Sequence, residues 1–141
     1  MSLPWVRLDT QIASHDKILK LLADPSPKRW QAAFSYVSAL GYAGAHGTDG
    51  AISRVALGFI HGTVATARLL VVHRLWTEDP DGLGWHIVNY AERQELALVT
   101  AGKREMKRLA AEKANCTRWN HPKGCWSPTH GCSIAREASG Q

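Results

Sequence analysis

Residues 49–90, DGAISRVALGFIHGTVATARLLVVHRLWTEDPDGLGWHIVNY, decide the fold. Asp49-Gly50 is a turn signal, and a short apolar step follows at Ala51-Ile52. Ser53 is placed to cap a helix from 54 to about 60. Gly62-Thr63 then breaks that helix and offers a fresh N-cap for a second one, from 64 to about 74. Two short helices joined by a tight Gly-containing turn form a helix-turn-helix. Beyond them, Leu75-Trp76-Thr77 and Trp85-His86-Ile87-Val88 flank a polar turn carrying Asp79-Pro80-Asp81-Gly82. Aromatic and β-branched residues on both sides of such a turn predict a β-hairpin. Helix, turn, helix, hairpin is the order of a winged helix, so a mainly α fold with a small β-hairpin is expected.

Outward from this stretch, 141 residues amount to one domain with an appendage. At 45% hydrophobic and 21% charged, the chain can bury a genuine core. It has no run of about 18 apolar residues, so no membrane span is expected. The start, MSLPWVRLDT, lacks an apolar region behind a basic one, which predicts a cytoplasmic protein.

Upstream, Trp5 to Asp9 alternates as a short extended segment. Ser14 or Asp16 is placed to cap a helix through Leu22, with Ile18, Leu19, Leu21 and Leu22 as its buried stripe. Asp24-Pro25-Ser26-Pro27 ends it. A longer helix is predicted over 28–43, with Trp30, Phe34, Val37 and Gly41 on one face. Trp30, Trp76 and Trp85 are expected in the core. Downstream, 91–115 has no proline and is rich in helix formers, predicting one continuous helix. Its apolar stripe, Leu98, Met106 and Leu109, is thin. The expected organisation is a winged domain over 1–90, a basic linker helix over 91–115 and a Cys/His-rich segment over 116–141.

In this order the residues resemble a family. Trp5-Val6-Arg7-Leu8-Asp9-Thr10, Lys17-Ile18-Leu19, the run from Tyr42 to Gly50, Leu75-Trp76, Gly84-Trp85-His86-Ile87 and Tyr90 to Gln94 carry the likeness. The chain is similar to actinobacterial phage and prophage proteins whose winged-helix domain is like the N-terminal domain of phage replisome organisers and replication initiators. The likeness covers roughly residues 3–95. It implies DNA binding in replication initiation or its control, inside a bacterial host cell. Relatives of this kind usually have glycine where Arg74 stands, and Asp-Trp where Asn89-Tyr90 stands.

The formal net charge is +5, and it is uneven. Residues 1–91 hold 8 Lys/Arg against 7 Asp/Glu, while 92–141 hold 9 against 5. Such an excess suits an anionic partner or a merely solvated surface. The second helix offers Thr63, Thr66, Arg68, His73 and Arg74 toward DNA. Leu69 to Val72 make it apolar on most sides, so a packed structural role competes with base reading. Thr63 at its start could hold a phosphate through backbone N–H groups. Lys103, Arg104, Lys107 and Arg108, three and four apart, share one face of the later helix. They suit phosphate contacts, a solvated face with Glu105 and Glu112, or pairing of this helix with a second copy. Glu78, Asp79 and Asp81 at the hairpin tip would be repelled by phosphates and are read as a polar turn.

All three cysteines fall after residue 115, which fits a metal site or free thiols rather than a disulfide framework. Cys116, His121, Cys125, His130 and Cys132 lie within seventeen residues, with Pro and Gly between them to turn the chain. A segment this short needs a staple, and zinc takes four such ligands. The preferred set is Cys116, His121, Cys125 and Cys132, with His130 as the substitute for His121. The competing reading is a disordered tail with free thiols, its last four residues loose. Trp119 and Trp126 would pack over the knuckle or stack on unpaired bases.

No Gly-rich phosphate loop, HExxH or nucleophile elbow occurs, so an enzyme is not expected. The first expectation is therefore a DNA-binding phage or prophage protein. The alternative is an adaptor that uses the same fold to bind a replication or host protein without DNA; a small zinc-dependent enzyme is a more distant third.

Overall fold

The computed structural model describes residues 3–119, 121–122 and 124–139. The chain is mainly helical with a small antiparallel sheet, and it divides into two compact units, Met1–Ala97 and Leu98–Gln141. No helix among the described residues is long and apolar enough to cross a membrane.

In the first unit, a 3-10 turn at Ile12–Ser14 leads into helix α1, Asp16–Leu22. His15 caps it, its Nδ1 accepting the Lys17 N–H at 3.3 Å in place of the predicted Ser14 or Asp16. Ile18 and Leu21 are buried, whereas Leu19 faces out. Helix α2, Arg29–His46, ends on Gly47 in the left-handed conformation. Its buried face is Ala32, Ser35, Ala39, Leu40, Ala43 and Gly44. The predicted stripe of Trp30, Phe34 and Val37 exists but points outward, and Trp30 is not a core residue. The small face is the one that lets a second helix approach closely, and that neighbour is α3, Val64–Val72.

Thr63 and Thr66 close a capping box at the start of α3: Thr66 N–H donates to Thr63 Oγ1 at 3.3 Å and Thr63 N–H to Thr66 Oγ1 at 2.8 Å. A Cβ at Gly62 would stand 3.2 Å from both Ser35 Oγ and Thr66 Oγ1, so the smallest residue suits this junction. The helix expected over 54–60 is only a 3-10 turn, Val55–Gly58. Ser53 Oγ does receive the Ala56 N–H at 3.3 Å. His61 then turns left-handed, φ 58°, and Gly62 N–H returns to Leu57 C=O at 2.9 Å, which ends the coil after one turn.

Strands β1, Ala51–Ser53, β2, Trp76–Glu78, and β3, Gly84–Ile87, form an antiparallel sheet in the order β1-β3-β2. The hairpin was expected; the third strand, paired Ile52 to Trp85, was not. Trp76 and Trp85 are both buried, ring centroids 6.2 Å apart, at the centre of the core.

The continuous helix expected over 91–115 is interrupted. A short α4, Tyr90–Arg93, is followed by extended Gln94, and α5 runs Ala97–Arg118. Gln94 is buried with its amide bridging the Arg7 backbone: its oxygen accepts the Arg7 N–H at 2.9 Å and its nitrogen donates to the Arg7 C=O at 2.6 Å. This tertiary pairing outweighs local helix propensity. In the second unit, β4, Trp126–Ser127, and β5, Gly131–Cys132, form a hairpin that runs into α6, Ser133–Ser139. Ala138 and Ser139, expected to be loose, belong to α6; Gly140 and Gln141 lie outside the described residues.

Arg74 ends α3 in the left-handed conformation, φ 58°. Leu75 N–H reaches back to Leu70 C=O at 2.9 Å, and Lys17 Nζ donates to the Arg74 C=O at 2.8 Å. The backbone thus makes the turn glycine usually makes, at the steric cost of a Cβ. Arg74→Gly is expected to raise stability by about 1 kcal/mol, since left-handed non-glycine residues cost on that order. Urea denaturation checks this, and an unchanged or lowered midpoint contradicts it.

Candidate metal centre and nucleic-acid interface

Four ligand-bearing side chains of the second unit converge. One donor atom each from Cys116, His121, Cys125 and Cys132 lies within 4.8 Å of the others, and the group could hold a metal ion. Cys116 sits in the last turn of α5 and is buried. The chain leaves that helix by donating His121 N–H to the Cys116 C=O at 3.1 Å, which aims the imidazole back toward the thiol. Pro122 and Gly124 then make a turn, closed by Cys125 N–H to Pro122 C=O at 3.2 Å, with Gly124 at φ 91°. The β4–β5 hairpin returns the chain so that Cys132 is buried, its Sγ 3.5 Å from His121 Nδ1. Ser133 N–H ties the hairpin to Cys125 C=O at 2.7 Å. His130 is exposed and outside the group, so the choice left open by spacing falls on His121.

Burial, with hydrogen bonding to Cys132 and Cys125, pushes the Cys116 thiol up to about 12. Neighbouring thiols this close disfavour a thiolate at Cys116, and a cation bound there would have to displace its proton.

The support around the cluster comes from α5. The Glu112 carboxylate accepts the Cys132 N–H at 3.0 Å and is itself ion-paired to Arg108. Trp126 donates Nε1–H to the Leu109 C=O at 3.2 Å, and Lys113 Nζ lies 5.0 Å over its ring. Trp126 therefore packs on α5, whereas Trp119 is exposed. Glu112 was missed as a contributor. Its signal was present: it stands four residues before Cys116, on the same helical face.

The nucleic-acid candidates fare unevenly. In α3, Thr63, Arg68 and Arg74 are exposed. Thr66 is buried, its hydroxyl engaged in the capping box, so it cannot reach a base. His73 is largely covered, with Nε2 2.8 Å from Asp24 Oδ2. That imidazole, together with the Ser26 N–H, holds the Asp24 carboxyl below the usual range. His73 thus fastens the end of α3 to the loop after α1. In α5, Lys103, Arg104, Lys107 and Arg108 are all exposed. Arg108 is ion-paired to both Glu105 and Glu112, which removes much of its attraction for a phosphate.

At the hairpin tip the acids also have local partners. Asp79 Oδ1 lies 2.6 Å from His86 Nδ1, and Asp81 accepts the Leu83 N–H at 2.9 Å. Arg54 stands 4.0 Å from Glu78, donates to the Gly82 C=O at 2.7 Å and lies over the Trp85 ring. This is a structured polar turn.

Compared with protein-family models, curated proteins and solved structures, the chain matches none.

Gly131 has φ 70°, and a Cβ there would run into the Glu112 carboxylate that holds the Cys132 N–H. Gly131→Ala is expected to destabilise the Cys/His unit by about 1–3 kcal/mol. Faster hydrogen exchange at the Cys132 amide is the readout, and unchanged protection there contradicts it.

Proposed function

We propose that the chain is a DNA-binding winged-helix protein whose Cys/His segment is stapled by a structural zinc ion. The observation that carries the DNA reading is the arrangement of residues 51–87. A strand, a one-turn helix, a second helix and a hairpin follow in order, with the first strand added to the hairpin as β1-β3-β2. In a winged helix the second helix of that pair is the one offered to the major groove. Here that helix begins at exposed Thr63, closed by its own capping box, and carries exposed Arg68, with Arg74 exposed just past its end. Few side chains remain that could read bases, so affinity would come from phosphates, with Lys103, Arg104 and Lys107 of α5 as further contacts. The likeness to phage replisome organisers and replication initiators makes replication initiation or its control the role we assign.

Zinc is favoured by the donor set. Three thiols and one imidazole suit a borderline-soft ion that accepts tetrahedral coordination. In a tetrahedral site an S···N edge is about 3.6 Å, and Cys132 Sγ stands 3.5 Å from His121 Nδ1. Four protein ligands leave no open position, which supports a structural rather than a catalytic ion.

The adaptor reading, in which the same fold binds a replication or host protein without DNA, is favoured by one observation. Thr66 and His73, two of the five groove-helix candidates, are engaged within the fold.

Fluorescence anisotropy with duplex DNA at two salt concentrations separates the two readings. Binding should weaken steeply with salt, at a slope near −0.9 per phosphate contacted, and Arg68→Ala should flatten that slope by about 1. Absence of binding at low salt sinks the DNA reading and favours the adaptor. Metal analysis of the purified protein should give one zinc per chain, little after Cys132→Ser, and an undiminished amount after His130→Ala. A well-folded wild-type chain without zinc ends the metal reading.

A further inference from the structure

Helix α2 carries a face that the fold leaves uncovered. Residues 30–45, WQAAFSYVSALGYAGA, hold no charged side chain. The small side of the helix packs inward on α3, while Trp30 is 63% exposed and Phe34 57% exposed, with Val37 also open. Beside them, Phe59 is 72% exposed and stacks its ring on Tyr42, and Phe34 leans on His61. A tryptophan, two phenylalanines and a valine at such exposures present on the order of 500 Å² of apolar surface, at the top of what monomers usually show. A standard interface takes about 800 Å² from each partner, so this face with its polar rim is the size of one.

The order of residues along the stripe says what fits it. Trp30, Phe34, Val37 and Gly41 are spaced four, three and four, which reads the same from either end. A two-fold axis crossing the helix between Ser35 and Tyr36 would set two copies antiparallel. Trp30 of each copy would then face Gly41 of the other, and Phe34 would face Val37. Each pairing joins a large side chain to a small one, the condition for interdigitation of facing helices. Gly41 supports this directly: a Cβ there would meet nothing within 4 Å, so the glycine is not demanded by the chain's own packing. A glycine in mid-helix costs roughly 1 kcal/mol relative to alanine, and the space it leaves here is open to a partner's side chain. The uncharged surface places no like charges across the axis, and antiparallel helix dipoles attract.

We propose that α2 is a homodimer interface, with two copies of this chain packed antiparallel through Trp30, Phe34, Val37 and Gly41. This pairing does not depend on DNA binding, and it places the self-association on α2 rather than on the basic helix.

Sedimentation equilibrium of the full chain is the test. The wild type should be dimeric at about 100 µM, and Gly41→Trp should raise the dimer dissociation constant about tenfold or more by filling the space for Trp30. Circular dichroism should show Gly41→Trp as helical as the wild type, because that position opens to solvent. The combined Trp30→Ala, Gly41→Trp variant restores a large residue opposite a small one and should recover dimer affinity to within about threefold. A wild-type chain that stays monomeric overturns the proposal and leaves the face to a different protein. A dimer indifferent to Gly41→Trp, or not recovered by the combined variant, overturns it too.

Discussion

The close approach of α2 and α3 governs the first unit. It depends on side chains with little to bury: Ala32, Ser35, Ala39 and Ala43 on one helix, Ala67 and the junction at Gly62 on the other. Small residues let backbones come near, and the gain arises from dispersion over many short contacts rather than from a few large side chains. The large ones are used where the layers are farther apart. Trp76 and Trp85 fill the space between sheet and helices, joined by Leu70, Leu75, Ile52 and Ile87. Helix-to-helix contact is made by small side chains and helix-to-sheet contact by large ones, and this division sends the aromatic stripe of α2 to the outside.

The second unit solves a different problem. Residues 116–139 hold too few apolar side chains for a core of their own, and they converge instead on three thiols and an imidazole. The α5 helix supplies the frame through Glu112, Lys113 and the Leu109 carbonyl. One helix therefore carries a basic surface and a carboxylate that braces the hairpin bearing Cys132. Arg108 stands between the two roles, since the acids that hold it also lower the charge it presents to solvent.

Much of this was legible in the sequence, for identifiable reasons. The hairpin and the Thr63 cap were, because turn chemistry and capping act over a few residues. The Cys/His grouping was, because three cysteines and two histidines fall in so short a span with Pro and Gly between them. What escaped had non-local causes. The break at Gln94 comes from its pairing with Arg7, 87 positions away. Strand β1 is three residues long and is a strand only because β3 lies beside it. The α2 stripe was recognised correctly as a face, but periodicity shows that a face exists, not which side is inside. His121, preferred over His130 from the sequence, is the one the turn after α5 brings to the three cysteines. Arg74 turned left-handed without glycine because its neighbours fix the conformation, Leu75 through Leu70 and the carbonyl through Lys17.

The strand order also bears on how the chain folds. Ser53 pairs with Gly84, and every residue of the helical pair lies in the loop between them. A ribosome must therefore deliver the chain as far as β3 before β1 has anything to join, and closing so long a loop has an entropic cost that only subsequent pairing offsets. Because β3 lies between β1 and β2, neither outer strand has a partner until β3 is in place.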